Sequence, residues 1–225
     1  VFDTPVLFLH NGGLSMEQRI VKRIFDIVVS MIMLVILSPV FLVLAIAIKI
    51  DSKGPVFYRQ ERITQFGKKF RIFKFRTMVA NADKIGSLVT VNNDSRITKV
   101  GKFIRKCRLD EICQLIDVFR GAMTFVGTRP EVKKYVDAYT DEMYATLLLP
   151  AGVTSLASIK YKDEEKLLSG SDDTDATYIN DILPDKMKYN LAAIRSVTGL
   201  FFCRFFTDRG RCGVYRFLFH YITSE

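Results

Sequence analysis

An uncharged, strongly apolar run extends from Ile27 to Ile48, is broken at its middle by Ser38-Pro39, and carries basic residues on both sides. At about 1.5 Å per residue it makes roughly 33 Å of helix, enough to cross a hydrocarbon core of about 30 Å. Pro39 removes a backbone donor and collides with the preceding turn, so a helix bends there unless its neighbours compensate. Ser38 can bond back to a carbonyl one turn earlier and add to the bend. Arg19, Lys22 and Arg23 precede the run and Lys49 and Lys53 follow it. Lys and Arg are enriched on cytoplasmic flanks, and neither end looks translocated. The run therefore reads as a re-entrant helical hairpin that dips into one leaflet and returns, with a kinked spanning helix and a buried core helix as the alternatives. It is not a secretion signal, because it is long, lacks a small-residue cleavage site and is followed by a Lys/Arg-rich domain. Everything after residue 50 is expected on the cytoplasmic side.

The 225 residues suit one membrane element and one domain of about 150 residues. The expected division is a linker or tail over 1–18, the re-entrant helix over 19–50, a cytoplasmic domain over 51–193 and an aromatic and basic C-terminal segment over 194–225. A net charge of +9 calls for a polyanionic partner. Membrane attachment favours anionic lipid or a phosphorylated substrate over nucleic acid. Cys107, Cys113, Cys203 and Cys212 show no paired C-x-x-C spacing, and with only His10 and His220 a zinc site is not expected. The thiols read as reduced.

A turn cluster, Asp51 to Pro55, leads into a hairpin candidate in which Val56-Phe57-Tyr58 and Phe70 to Arg76 flank a loop containing Gly67. In the second arm Phe70, Ile72, Phe73 and Phe75 alternate imperfectly with Arg71, Lys74 and Arg76. Such a strand could set rings at a bilayer interface and cations on phosphates; an ordinary half-buried strand fits equally well. From Ile97 to Arg120 two apolar stripes at helical spacing flank Arg105 to Glu111, and Gly121 stands where a left-handed cap belongs. A helix beginning near Leu109 would carry Asp110 and Glu111 in its first turn, where its dipole stabilises carboxylates and phosphate alike. Plain charge complementarity explains that pair as well. Pro130 suits the first position of another helix, leaving Arg129 at its mouth as a phosphate clamp or simply as a solvated arginine. Ala151 to Thr154 reads as a turn or strand, and the acidic tract from Asp163 to Asp185 as a solvated loop and helix without metal-ligand spacing. The aromatic and basic stretch from Ile194 to Tyr221 looks interfacial. The fold class is α+β, predominantly helical, with a membrane helix, a small hairpin and interfacial amphipathic helices.

Lys22-Arg23-Ile24-Phe25-Asp26, Ser38-Pro39, Gly54 to Gln60, Lys74 to Met78, Leu109-Asp110-Glu111 with Gln114-Leu115, and Gly127-Thr128-Arg129-Pro130 occur in the order seen in one family. Over about residues 19 to 190 the chain resembles the bacterial sugar transferases, the monotopic polyprenol-phosphate phosphoglycosyl transferases. Val1 to Ser15 resembles the linker before the catalytic domain of the longer members, for which a homodimer is an open expectation. The resemblance implies transfer of a sugar phosphate from a UDP-sugar to undecaprenyl phosphate with release of UMP, at the cytoplasmic face of the bacterial inner membrane, initiating a surface glycan such as a capsule, exopolysaccharide or O-antigen. It implies Asp110 as a nucleophile forming a covalent phosphosugar intermediate, Glu111 as base or orienter, Mg²⁺ near Asp110, and a helix bent at Ser38-Pro39.

A diphosphate attacked by a carboxylate needs its charge neutralised, and Arg105, Arg129, Lys74 and Arg76 are the candidate phosphate-binding residues. Two departures from the family pattern stand out: Thr154-Ser155-Leu156-Ala157-Ser158 replaces Thr-Gly-Leu-Ala, and the chain has no Trp. A membrane-tethered basic module that binds anionic lipid, and an inactive scaffold of glycan assembly, are the rival readings.

Overall fold

The structure is a computed structural model that describes residues 16–80, 82, 94–162, 164–168 and 174–196. The expectations for residues 1–15 and for the segment beyond 196 lie outside the described residues. Helix α1 (Met16–Asp51) leads into a hairpin of β1 (Phe57–Ile63) and β2 (Lys69–Phe75). Then come α2 (Lys99–Lys106), a 3₁₀ turn (Leu109–Glu111), α3 (Gln114–Arg120), β3 (Met123–Val126), the short helices α4 (Lys133–Val136) and α5 (Asp141–Tyr144), and β4 (Ala151–Thr154). Helices α6 (Leu156–Lys160), α7 (Glu164–Leu168) and α8 (Thr174–Thr177) precede a π-type turn and the closing helix α9 (Leu183–Ser196).

Helix α1 runs past the apolar segment at both ends and contains Pro39 without an interruption of its helical assignment. Ser38 Oγ donates to the Val35 carbonyl at 2.8 Å, the back-bond expected beside a proline. Both ends are tied to the domain. Near the start, Asp26, only 4 % exposed, accepts from Thr124 Oγ1 at 2.7 Å. Arg23 there donates to the carbonyls of Val118 and Phe119 at 2.7 and 2.8 Å. Near the end, Leu44 and Ile48 pack with Phe75, Ile104 and Cys113. Between these anchors Val35, Ile36, Leu42, Val43 and Ile46 are 52 to 69 % exposed. Only 11 % of the most apolar stretch is buried, which removes the core-helix alternative. An apolar surface of this extent belongs against lipid or protein rather than water.

The hairpin forms antiparallel, with Phe57 opposite Phe75 and Ile63 opposite Lys69. Its aromatics do not form one face at an interface. Phe75 lies in the cluster shared with α1, while Ile72, on the opposite side of the strand, packs with Val118, Met123 and Ala151. Both faces carry apolar packing, so the strand is neither an interfacial aromatic face nor a half-buried strand with one wholly solvated face. Phe57 and Phe73 meet edge to face at 5.8 Å, and the Arg59 guanidinium stacks 3.7 Å from the Phe73 centroid.

Strands β3 and β4 pair in parallel, Met123 with Ala151 and Val126 with Thr154. Gly152 is required at that pairing because a Cβ there would strike the backbone of Gly127.

The helical stretch after Ile97 is split rather than continuous. Arg108 adopts a left-handed conformation, φ 54°, and its guanidinium donates to the Lys162 carbonyl at 2.6 Å, which redirects the chain before the 3₁₀ turn. Gly121 closes α3 at φ 87°, the left-handed cap that its position suggests.

Candidate active site

Pro130 does not open a helix, contrary to the sequence expectation: α4 starts at Lys133. Its backbone is used instead as a partner for the end of β1, since Ile63 N–H donates to the Glu131 carbonyl at 2.9 Å and Arg62 to the Pro130 carbonyl at 3.2 Å. That docking carries the preceding residue, Arg129, toward the turn that holds Asp110 and Glu111.

Three segments far apart in sequence meet at Glu111. Lys74, from β2, donates to Glu111 Oε1 at 3.0 Å. Arg129 straddles the same carboxylate, with Nη1 on Oε2 at 3.1 Å and Nη2 on Oε1. The Glu111 side chain is 14 % exposed. Burial opposes its charge, but Arg129 and Lys74 outweigh that and hold its pKa well below the usual carboxylate range. Asp110 next to it has the opposite fate. No cation among the described residues makes an ion pair with it; burial pushes its pKa up, Lys74 and Arg105 pull back through space, and ionised Glu111 adds to the rise. Two adjacent carboxylates are thus differentiated, one neutralised and fixed, the other desolvated and uncommitted.

Arg105, in the last turn of α2, acts on Asp110 through its field. Arg76 is not brought to this cluster. It is 5 % exposed and donates to the carbonyls of Ser52 at 2.7 Å and Lys53 at 2.9 Å, so it caps the C-terminal end of α1. With Lys74 engaged by Glu111 as well, the proposed lipid-binding row of Arg71, Lys74 and Arg76 loses two of its three cations to internal partners.

Sequence reading gave Glu131 no role, although it stands two residues after Arg129. It is 6 % exposed, accepts from Tyr178 Oη at 2.7 Å and pairs with Lys186 at 3.5 Å and Arg62 at 3.7 Å. Lys186 also reaches Glu164 at 2.9 Å, and Asp175 accepts from Tyr135 Oη at 2.7 Å. The acidic tract is therefore partly internal rather than wholly solvated, because it supplies partners for buried cations and hydroxyls. Among the described residues no group of three His, Cys, Asp or Glu side chains could hold a metal by itself.

The sequence comparisons bear on this cluster. The bacterial sugar transferase family model matches residues 17–193. The chain belongs to the bacterial sugar transferase family. The chain is 39 % identical over 160 residues to a UDP-glucose:undecaprenyl-phosphate glucose-1-phosphate transferase of Klebsiella pneumoniae, covering 69 % of this chain and 34 % of that protein. It is 38 % identical over 143 residues to a UDP-N-acetylgalactosamine-undecaprenyl-phosphate N-acetylgalactosaminephosphotransferase of Aeromonas hydrophila, covering 62 % and 34 %. An undecaprenyl-phosphate galactose phosphotransferase of Salmonella typhimurium is 34 % identical over 177 residues, covering 72 % and 37 %. The chain thus spans about a third of the length of these relatives. Lys74, Glu111 and Arg129 all lie inside the segment that matches the family.

Proposed function

We propose that this chain is the catalytic part of a phosphoglycosyl transferase that moves a sugar phosphate from a UDP-sugar to undecaprenyl phosphate. The observation that carries this reading is the split state of the two carboxylates: Glu111 is saturated by Lys74 and Arg129, whereas Asp110 is half-buried, in the field of Lys74 and Arg105, and in no ion pair among the described residues. A carboxylate outside an ion pair is the better nucleophile, and the cations whose field reaches it can receive the charge of the leaving phosphate.

In the first step an Asp110 oxygen forms a bond to the sugar-bearing phosphorus. The bond from that phosphorus to the bridging oxygen breaks, and UMP leaves with the electron pair. In the second step an oxygen of undecaprenyl phosphate attacks the same phosphorus. The bond to Asp110 breaks, the carboxylate is restored, and a lipid-linked diphosphate sugar departs. Splitting the reaction lets one site serve a soluble donor and a lipid acceptor in turn. Arg129 and Lys74 bind phosphate oxygens, Arg105 adds positive potential, and Glu111 holds Lys74 and Arg129 in place.

Mg²⁺ prefers one or two carboxylates completed by substrate phosphates and water, so Asp110 with the donor diphosphate is a chemically suitable set. When bound there, the ion would neutralise diphosphate charge as a Lewis acid.

The membrane part of the proposal is that α1 bends at Ser38-Pro39 and re-enters the leaflet it came from, leaving the domain on the cytoplasmic side of the bacterial inner membrane. Its support is that Arg23 and Asp26 at one end, and Leu44, Ile48 and Ser52 at the other, are all tied to the same domain. A straight helix would put Arg23 and Ser52 about 43 Å apart.

The test is release of UMP from UDP-glucose, UDP-galactose and UDP-N-acetylgalactosamine, in detergent with Mg²⁺ and undecaprenyl phosphate. Wild type should release UMP with at least one donor and Asp110→Asn with none. Undiminished release by Asp110→Asn overturns the mechanism, and no release from any donor by wild type overturns the reaction.

A further inference from the structure

Gln114 opens α3 and is 1 % exposed, yet its Nε2 has no hydrogen-bond partner among the described residues. Buried amide donors are nearly always satisfied, so a stranded one in a tightly packed position needs a reason. Packing supplies none, because a methionine or leucine would occupy the same space without stranding a donor.

Its position supplies one. The 3₁₀ turn at Leu109–Glu111 is followed by Ile112 (φ −61°, ψ −22°) and Cys113 (φ −62°, ψ −21°), both right-handed, so the winding continues from the turn into α3. Gln114 lies three residues after Glu111 and four after Asp110, the two offsets that bring side chains together on a helical surface. The carboxamide therefore stands on the carboxylates' side of the chain. Glu111 spends both oxygens on Lys74 and Arg129, and Asp110 is not paired with Gln114 in the structure. What the amide lacks is an acceptor, and phosphoryl oxygens are acceptors. An incoming phosphate also competes with Glu111 for Lys74 and Arg129. A phosphate that draws Lys74 and Arg129 partly away from Glu111 shifts the site toward conformers in which the Gln114 amide can reach it.

We propose that Gln114 is a substrate-binding residue whose Nε2 donates to a non-bridging oxygen of the phosphoryl group held at Asp110. That the phosphoryl group belongs to a nucleotide diphosphate sugar rests on the proposed function; that the site takes a phosphate anion through Gln114 does not.

The experiment compares wild type, Gln114→Met and Gln114→Glu as the full chain in detergent. Three readouts are taken: melting temperature without ligand, affinity for inorganic pyrophosphate with Mg²⁺ by calorimetry, and kcat/KM for UMP release. Gln114→Met should melt no lower than wild type, because it removes a donor that has no bond to lose. It should bind pyrophosphate about 10- to 100-fold more weakly, the range for a lost hydrogen bond to a charged group. kcat/KM should fall by a similar factor. Gln114→Glu, which sets a carboxylate against the phosphate, should bind still more weakly.

Wild-type affinity in Gln114→Met overturns the proposal, and so does a wild type that fails to bind pyrophosphate. A lower melting temperature for Gln114→Met also overturns it, since the amide would then be bonded in the resting protein. If the pyrophosphate affinities separate as expected while wild type turns over no UDP-sugar, the reaction is wrong and the role of Gln114 stands.

Discussion

Asp110 and Glu111 are chemically similar neighbours, and what separates them is which partners the fold brings to each. Burial raises the Asp110 pKa above the ordinary value of about 3.9. If Asp110 must be ionised to attack, kcat/KM falls as pH drops through the raised value, and a pH–rate profile should place the acid limb above that of an ordinary Asp. A group whose folded pKa is raised contributes stability at low pH that is lost as pH rises through that value. Asp110→Asn should therefore be inactive yet melt no lower than wild type at pH 7. Glu111 behaves in the opposite way, with its pKa held down by Arg129 and Lys74 against the effect of burial. Glu111→Gln removes the carboxylate that Lys74 and Arg129 share in a site only partly open to water, and breaking a buried pair from one side costs about 3–5 kcal/mol. A clearly lowered melting temperature, larger than that of any Asp110 variant, is the expected result. The Asp-Glu pair itself was legible in sequence, whereas its division of labour was not, because Lys74 and Arg129 approach from 37 and 18 residues away.

Among the elements, the hairpin and the Gly121 cap could be read from local pattern because turn chemistry and strand alternation act over a few residues. Arg76 could not. Its neighbours in sequence suggested phosphate binding, but the C-terminal end of α1 is followed by carbonyls at Ser52 and Lys53 that it satisfies. The departure at Ser155 also acquires a local meaning: Ser155 Oγ accepts from Ser158 N–H at 3.0 Å and caps α6, directly after β4. Ser155→Ala should cost about 1 kcal/mol of stability, and Ser155→Gly, the residue of the family pattern, only a few tenths, measured by thermal melting. For α1, Pro39→Ala should straighten the helix and move one end across the bilayer. Cysteines introduced beside Arg19 and Lys53 then become labelled from opposite sides, whereas wild type should be labelled at both from one side. Labelling of both ends from one side in Pro39→Ala would remove the bend from the proline's account.

Across the whole molecule, Glu131, Lys186, Arg62, Tyr178 and Glu164 form a buried charged network that fastens α7, α9 and the π-type turn onto the strand carrying Arg62. Burial opposes the Glu131 charge, but Lys186, Arg62 and the Tyr178 hydroxyl lower its pKa below the ordinary Glu value of about 4.3. Its stabilisation is present above that value and is lost as pH falls through the depressed one. Acid melting of wild type should therefore steepen below about pH 4, and Glu131→Gln should flatten that limb while lowering stability at neutral pH. By itself the sequence determined the long apolar helix, the hairpin and the placing of Asp110 and Glu111 together in one turn, because each depends on residues within a few positions of one another. Only the tertiary structure decided that Glu111 is saturated, that Asp110 has no ion pair among the described residues, that Arg76 caps a helix and that Glu131 is buried. Those outcomes are set by which distant cations, carbonyls and hydroxyls close packing brings within hydrogen-bonding distance, and a linear pattern carries no record of that distance.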